Sequence, residues 1–248
     1  MRKEWLGTHL VEVYDSIEEL PITRWHKYQK FALVDGGIGS DLGAVDAHIS
    51  RTVAFIKRNE RDKAVAEMQN LRQNIFFVQN GIDPHLLSYA CLVKSIDGRP
   101  CDDLTEEGLR QTLETLCDVP TNVITALFEV VKKKIEAEYS TYFGQSQINS
   151  KEKEYCDKLR ARTLAVLDEV ENGHDNKAKI EQLTLDLLTI QSPVTFTGEK
   201  NFEVDFDTQF ERMCVVLAQH TNLNPKQCTV MEFYHAYEVV KEQHKKKK

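Results

Sequence analysis

The sequence lacks most of the features that would identify a chemistry. Its uninterrupted apolar runs are short (Phe31 to Val34, Ile75 to Val78, Tyr89 to Val93), so no segment is expected to span a membrane. The opening MRKEWLGTHLVEV has no apolar signal region, so a secretory route is not expected. The six cysteines include no C-x-x-C pair, and their thiols are therefore expected to be reduced. A basic excess is also missing. The net charge of −7 argues against general nucleic-acid binding, which needs a cationic surface to displace counterions. There is no G-x-S-x-G elbow for a serine nucleophile and no internal repeat of fixed period.

What is present is globular in composition. The 248 residues are 41% hydrophobic and 29% charged, enough to bury a core without disulfides or metal. Charge is unevenly spread. Residues 51–100 hold five acids and eight bases, whereas residues 101–150 hold nine acids and four bases. Opposite local fields suit contact between protein surfaces, and solvated helix faces explain them equally well.

Four glycines, Gly36, Gly37, Gly39 and Gly43, follow the apolar run at 31–34 and precede a helical pattern. That order raises the question of a phosphate loop. A P-loop needs lysine after its last glycine, and here Ala44 and Val45 follow Gly43. The dinucleotide fingerprint is also out of register, because Leu42 stands at its third glycine position, and no second strand with a ribose-binding acid follows. The stretch reads as a helix–helix connection with positive φ at one or two glycines, capped by Ser40 or Asp41.

Helical periods dominate the remainder. Val45, Ile49, Thr52, Val53 and Ile56 keep a spacing near 3.6, as do Ala64, Met68, Leu71, Ile75 and Val78. Asp83-Pro84 starts a third helix, expected to stop at Asp97-Gly98-Arg99-Pro100. Thr105 reads as an N-cap, with Leu104 and Leu109 at staple positions. Ile124, Phe128, Val131, Ile135, Tyr139 and Tyr142 form the longest stripe. After a polar linker at Gly144, two further helices carry Tyr155, Leu159, Val166, Leu167 and Val170, and then Ile180, Leu183, Leu187 and Ile190. Thr229-x-x-Glu232 is a capping box for the last helix. Residues 9–14 allow a short strand. Val194 and Phe196, then Phe202, Val204 and Phe206, alternate across TGEKN like a β-hairpin. The expected fold is thus mainly α, a helical bundle with a small β-hairpin at 194–206 in the C-terminal part, α+β overall at most. Its expected division is an N-terminal helical domain (1–146) with an extended arm, and a C-terminal helical part (147–248) ending in a basic tail.

Metal-ligand residue types gather at Cys214, His220, Cys228 and His235, but their gaps of five, seven and six residues are wider than the pairs of common zinc folds. Buried thiols and a dipole-favoured imidazole explain them. No cofactor, metal site or catalytic residue is expected. Exposed contact residues are expected instead: Trp5, Leu6 and Leu10 on the N-terminal arm, Phe202, Val204 and Phe206 on the hairpin, and Lys245, Lys246, Lys247 and Lys248 on the tail.

Several phrases together, DSIEELPITRWHKYQKF (15–31), DGGIGSDLGAVDAHISR (35–51), NGIDPHLLSYACLVKSIDGRPCDDLTEEGL (80–109) and CTVMEFYHAYEVVK (228–241), resemble small virion proteins of large tailed bacteriophages, the crAss-like group above all. The resemblance implies a head–tail adaptor or tail-barrel ring protein, a structural subunit with no catalytic residues to carry over. It further implies a homo-oligomeric, twelve-fold ring that contacts portal and adjacent tail ring proteins. Genomic DNA would pass without sequence-specific binding and no membrane would be involved. Such a protein would reside in the virion neck or tail, and in host cytoplasm during assembly. A non-virion tail-assembly chaperone, or a nucleotide-binding regulator or enzyme using the Gly36–Gly43 loop, are the alternatives.

Overall fold

A computed structural model describes residues 1–143, 150–190, 192–196, 198 and 201–245. In chain order the elements begin with β1 (Arg2–Leu6), β2 (His9–Val13), α1 (Ile22–Gly37), α2 (Leu42–Lys57), α3 (Arg61–Asn80) and α4 (Pro84–Ala90). Then come β3 (Val93–Ile96), β4 (Arg99–Pro100), α5 (Glu106–Glu114) and α6 (Thr121–Phe143). The last four are α7 (Ser150–Asn172), α8 (Lys177–Thr189), α9 (Phe202–His220) and α10 (Val230–Lys245). Helices take up 70% of the chain.

The chain forms two compact units, each assembled from separated segments. Unit 1 comprises Met1–Gly39, Ile82–Gly144 and Glu203–Lys248, and unit 2 comprises Ser40–Gly81 and Gln145–Phe202.

In unit 1 the four strands form one antiparallel sheet in the order β1-β2-β3-β4. Leu6, Val11, Val13, Val93 and Ile96 are buried, while Trp5 is 68% exposed on the edge strand. Alternate side chains point to opposite faces, so one face of the sheet feeds the core. Two tight turns set the register. Gly7 (φ +60°) links β1 to β2, and Asp97 (φ +52°) with Gly98 (φ +77°) links β3 to β4. Positive φ at two successive residues is the primed hairpin turn, whose twist matches that of the strands. The helices close over Ile17, Leu20, Leu92, Phe128 and Phe233, with Tyr89 stacked on Phe128 at 4.9 Å.

Buried Arg24 of α1 ties these pieces together. Its guanidinium donates to the carbonyls of Val93 (2.8 Å) and Cys101 (2.6 Å), more weakly to that of Cys91 (3.3 Å), and to the Asp102 carboxylate (3.1 Å).

Several local expectations hold. Asp41 caps α2 by accepting from the Ala44 N–H, and Gly39 alone of the glycines at 36–43 takes positive φ (+68°). Thr105 caps α5 through the Gly108 N–H. At α10 the capping box is reciprocal. The Thr229 N–H donates to the Glu232 carboxylate at 2.9 Å, and the Glu232 N–H donates to the Thr229 hydroxyl at 3.3 Å.

The expected fold class is overturned in the placing of its β-structure. The sheet is built from the N-terminal strands and residues 93–100, not from the C-terminal part. Phe202, Val204 and Phe206 belong to α9, and residues 194–196 form no strand; positions 197, 199 and 200 of the expected loop lie outside the described residues. The reason is a competition of periods. Phe202, Phe206, Phe210, Met213 and Leu217 also follow a helical spacing over sixteen residues, and Glu203 and Asp205 favour a helix N-terminus. The long helical pattern prevails over a three-residue alternation. The third helix likewise stops early, at Ala90, because SIDGRP forms the β3–β4 hairpin.

Candidate interaction surfaces

In unit 2, α2 packs against both α3 and α8, and α8 packs against α7. The helices are therefore ordered α3–α2–α8–α7, with α3 and α7 at the two ends of the order. The α2–α3 seam is polar. His48 Nδ1 lies 2.8 Å from Glu67 Oε1, and Arg51 Nε donates to the same oxygen. His48 and Glu67 are fully buried, and Thr52, Asn70 and Asn74 are buried around them. Burial pushes the Glu67 carboxyl up, but hydrogen bonds from His48 and Arg51 outweigh it and hold the group below its usual 4.5. At the α2–α8 junction Arg58 pairs with Asp186, which also accepts from Lys158 at 2.8 Å.

An apolar stripe ordinarily marks the side that a helix buries. Unit 2 inverts this. Among its described residues six apolar side chains are buried, three of them alanines, against six buried polar ones. Sixteen large apolar side chains are exposed, so most of the unit's apolar patterning points outward. On α2 the exposed stripe is Leu42, Ile49, Val53 and Ile56; Leu42 is 77% exposed. On α3 it is Val65, Met68, Ile75 and Phe76. On α7 it is Tyr155, Leu159, Val166, Leu167 and Val170, with Val170 also 77% exposed. Contiguous apolar patches of this kind mark surfaces that meet something else.

The expected contact residues fall elsewhere and are not brought together as one patch by their elements. Trp5 is exposed on edge strand β1, Leu6 is buried beside it, and Leu10 is half-buried on β2. Val204 is half exposed on α9, whereas Phe202 and Phe206 are partly buried. Phe202 packs on Phe196 at 5.5 Å and Phe206 stacks on His26 at 4.6 Å. Lys245 ends α10, and Lys246, Lys247 and Lys248 lie outside the described residues. Cys214 and Cys228 are buried, and His235 lies against the Phe143 ring at 5.2 Å. No group of three or more metal-ligating side chains is gathered among the described residues, and no helix among them is long and apolar enough to cross a membrane.

Sequence reading missed one polar cluster in unit 1. His26 of α1 is sandwiched between Phe206 and Phe210 of α9 and bonds Asp207 at 2.8 Å, while Lys30 reaches the other Asp207 oxygen at 2.8 Å. A cavity of about 310 Å³ beside it is lined by Thr23, Lys27, Leu104, Glu211 and Lys226, among others. Burial lowers the His26 pKa despite Asp207, so the ring is neutral at pH 7. The bonds of Asp207 and the ring stack fasten α1 to α9. The i, i+4 pair Phe206 and Phe210 was the available signal for an aromatic clamp on a helix.

Comparison with known proteins adds no relative to this geometry: no protein family, curated protein or solved structure matches the chain.

Proposed function

We propose that this chain is a structural assembly protein, a ring-forming subunit of a bacteriophage neck or tail that links neighbouring rings through protein–protein interfaces. The observation that carries the reading is the inverted burial of unit 2, whose apolar stripes face outward while its seam is polar. A subunit of a closed ring needs such surfaces, because it meets two neighbours by two different faces related by rotation. The edge strand β1, with Trp5 exposed on it, supports the same reading as a second site where a neighbour's strand can add. The phage assignment draws on the sequence resemblance, and the assembly assignment on the geometry.

Mass spectrometry of purified particles tests the reading. A subunit present in multiple stoichiometric copies per particle is expected. Expression during infection with absence from the particles would overturn the virion role and leave an assembly chaperone as the better account.

A further inference from the structure

One cavity of unit 2 sets positive charge beside an aliphatic wall. It measures about 410 Å³. Its lining includes two guanidinium groups, Arg51 of α2 and Arg162 of α7, and the side chains of Leu187, Leu188 and Ile190 along α8 and its C-cap. No carboxylate is among the described residues that line it. Small-molecule sites run from roughly 300 to 1,000 Å³ and combine apolar walls with a few fixed polar groups.

Arg162 carries the uncompensated charge. It forms no ion pair among the described residues, and its Nε donates to the Thr184 hydroxyl at 2.9 Å. That hydroxyl gives its own hydrogen to the Ile180 carbonyl at 2.7 Å, so Thr184 accepts from the guanidinium and fixes its angle. The four Nη hydrogens of Arg162 are left without an acceptor among the described residues. Arg51 is paired through Nε with Glu67 and adds a second, partly compensated cation. The acids of α8 are engaged elsewhere, Glu181 by Lys57 at 3.2 Å and Asp186 by Arg58 and by Lys158 at 2.8 Å. An exposed arginine is ordinarily just hydrated; Arg162 differs in being half-buried, pinned at Nε and set in a cavity with an aliphatic wall.

We infer that this cavity binds an organic oxyanion, a carboxylate or phosphate monoester on a short aliphatic chain, with Arg162 on the oxygens and the chain along Leu187, Leu188 and Ile190. The planar guanidinium presents paired N–H groups that match two oxygens of either anion. The chain gains by leaving water for the aliphatic wall. The site is separate from the assembly reading, which stands or falls without it.

The test is isothermal titration calorimetry on the full chain with octanoate, octyl phosphate, octanol and inorganic phosphate. At least one octyl anion is expected to bind saturably, one per chain, and the tighter of the two identifies the anion. Octanol, which lacks the charge, and inorganic phosphate, which lacks the chain, are each expected to bind at least about tenfold more weakly. Arg162→Gln is expected to weaken the octyl anion about tenfold, and Arg162→Lys to recover only part of the loss, since an ammonium lacks the fork. Arg160→Gln removes an exposed charge of the same helix outside the lining and is expected to change nothing. Circular dichroism establishes that each variant keeps its helix content.

A parent chain that binds neither octyl anion overturns the site. Octanol binding as tightly as octanoate would mean a crevice indifferent to charge, and inorganic phosphate binding as tightly as octyl phosphate a bare anion site; either overturns the ligand class. Equal losses in Arg160→Gln and Arg162→Gln would mean diffuse surface attraction and overturn the role of Arg162. If Arg162→Gln loses helix content, the four probes on the parent chain decide.

Discussion

Replacing Arg24 with methionine tests whether unit 1 is held by a single buried cation. Arg24 is 4% exposed, and its fork reaches three main-chain carbonyls in two segments, at 91 and 93 and at 101. Its carboxylate partner Asp102 is 80% exposed, so screening leaves that ion pair worth little. The carbonyl bonds matter more, at about 1.5–3 kcal/mol each for a charged donor. Their sum overstates the loss, because the variant no longer desolvates a guanidinium. A net destabilisation of about 3–5 kcal/mol is expected, because the buried carbonyls are left without a donor at about 1–3 kcal/mol each. Arg24→Lys should recover part of it, since one ammonium cannot span the Val93 and Cys101 carbonyls as the planar fork does. At about 2–4 °C per kcal/mol the methionine variant should melt roughly 10 °C lower. The assay is local. Both tryptophans of the chain, Trp5 and Trp25, lie in unit 1, so tryptophan fluorescence follows that unit. A fluorescence midpoint within about 2 °C of the parent would refute the reasoning, by showing that the carbonyls find other donors without cost.

Two further outcomes are expected. The Glu67 pKa is lower in the folded chain than its usual 4.5, so its contribution to stability is complete above pH 4.5 and is lost as pH falls through the lower folded value. Glu67→Gln should remove part of this acid sensitivity while costing about 2–3 kcal/mol at pH 7, below the fully buried range because Arg51 is partly solvated; far-UV circular dichroism against urea reads both. Thr229→Ala opens the capping box of α10 and should cost about 1 kcal/mol, read as a fall in the fluorescence midpoint, with no change in the urea slope.

Local signals were the legible part of this fold. The caps at Asp41, Thr105 and Thr229 are decided by contacts within three residues, and a motif of that reach can be read from the chain. Asp97-Gly98 is equally local but reads as a helix stop instead of a hairpin turn, because Leu86, Leu87, Ala90 and Val93 suggest a continuing helix. The 202–206 alternation fails for the opposite reason, a short window judged without the sixteen-residue pattern that contains it. The bonds of Arg24, the pairing of His26 with Asp207 and the His48–Glu67 seam were not legible. Their partners lie 67 to 78, 181 and 19 residues away, and periodicity carries no information on which remote groups meet.

The stripes of unit 2 expose a different limit. Periodicity finds an apolar face on α2, α3 and α7, but it cannot say whether that face is covered by the same chain or by another. The energetics of the observed arrangement favour another. A largely buried ion pair such as Glu67–Arg51 roughly breaks even against an apolar equivalent, so the seam fixes how α2 meets α3 more than it stabilises the unit. The apolar core beneath is small, with Phe55, Leu71 and Phe196 as its large members. Fully burying one large aliphatic side chain contributes about 1.5–3 kcal/mol, and most of those in unit 2 are turned away from that core. Covering the outward stripes of α2, α3 and α7 would add apolar burial to that small interior. A unit built this way would gain stability from whatever covers those stripes.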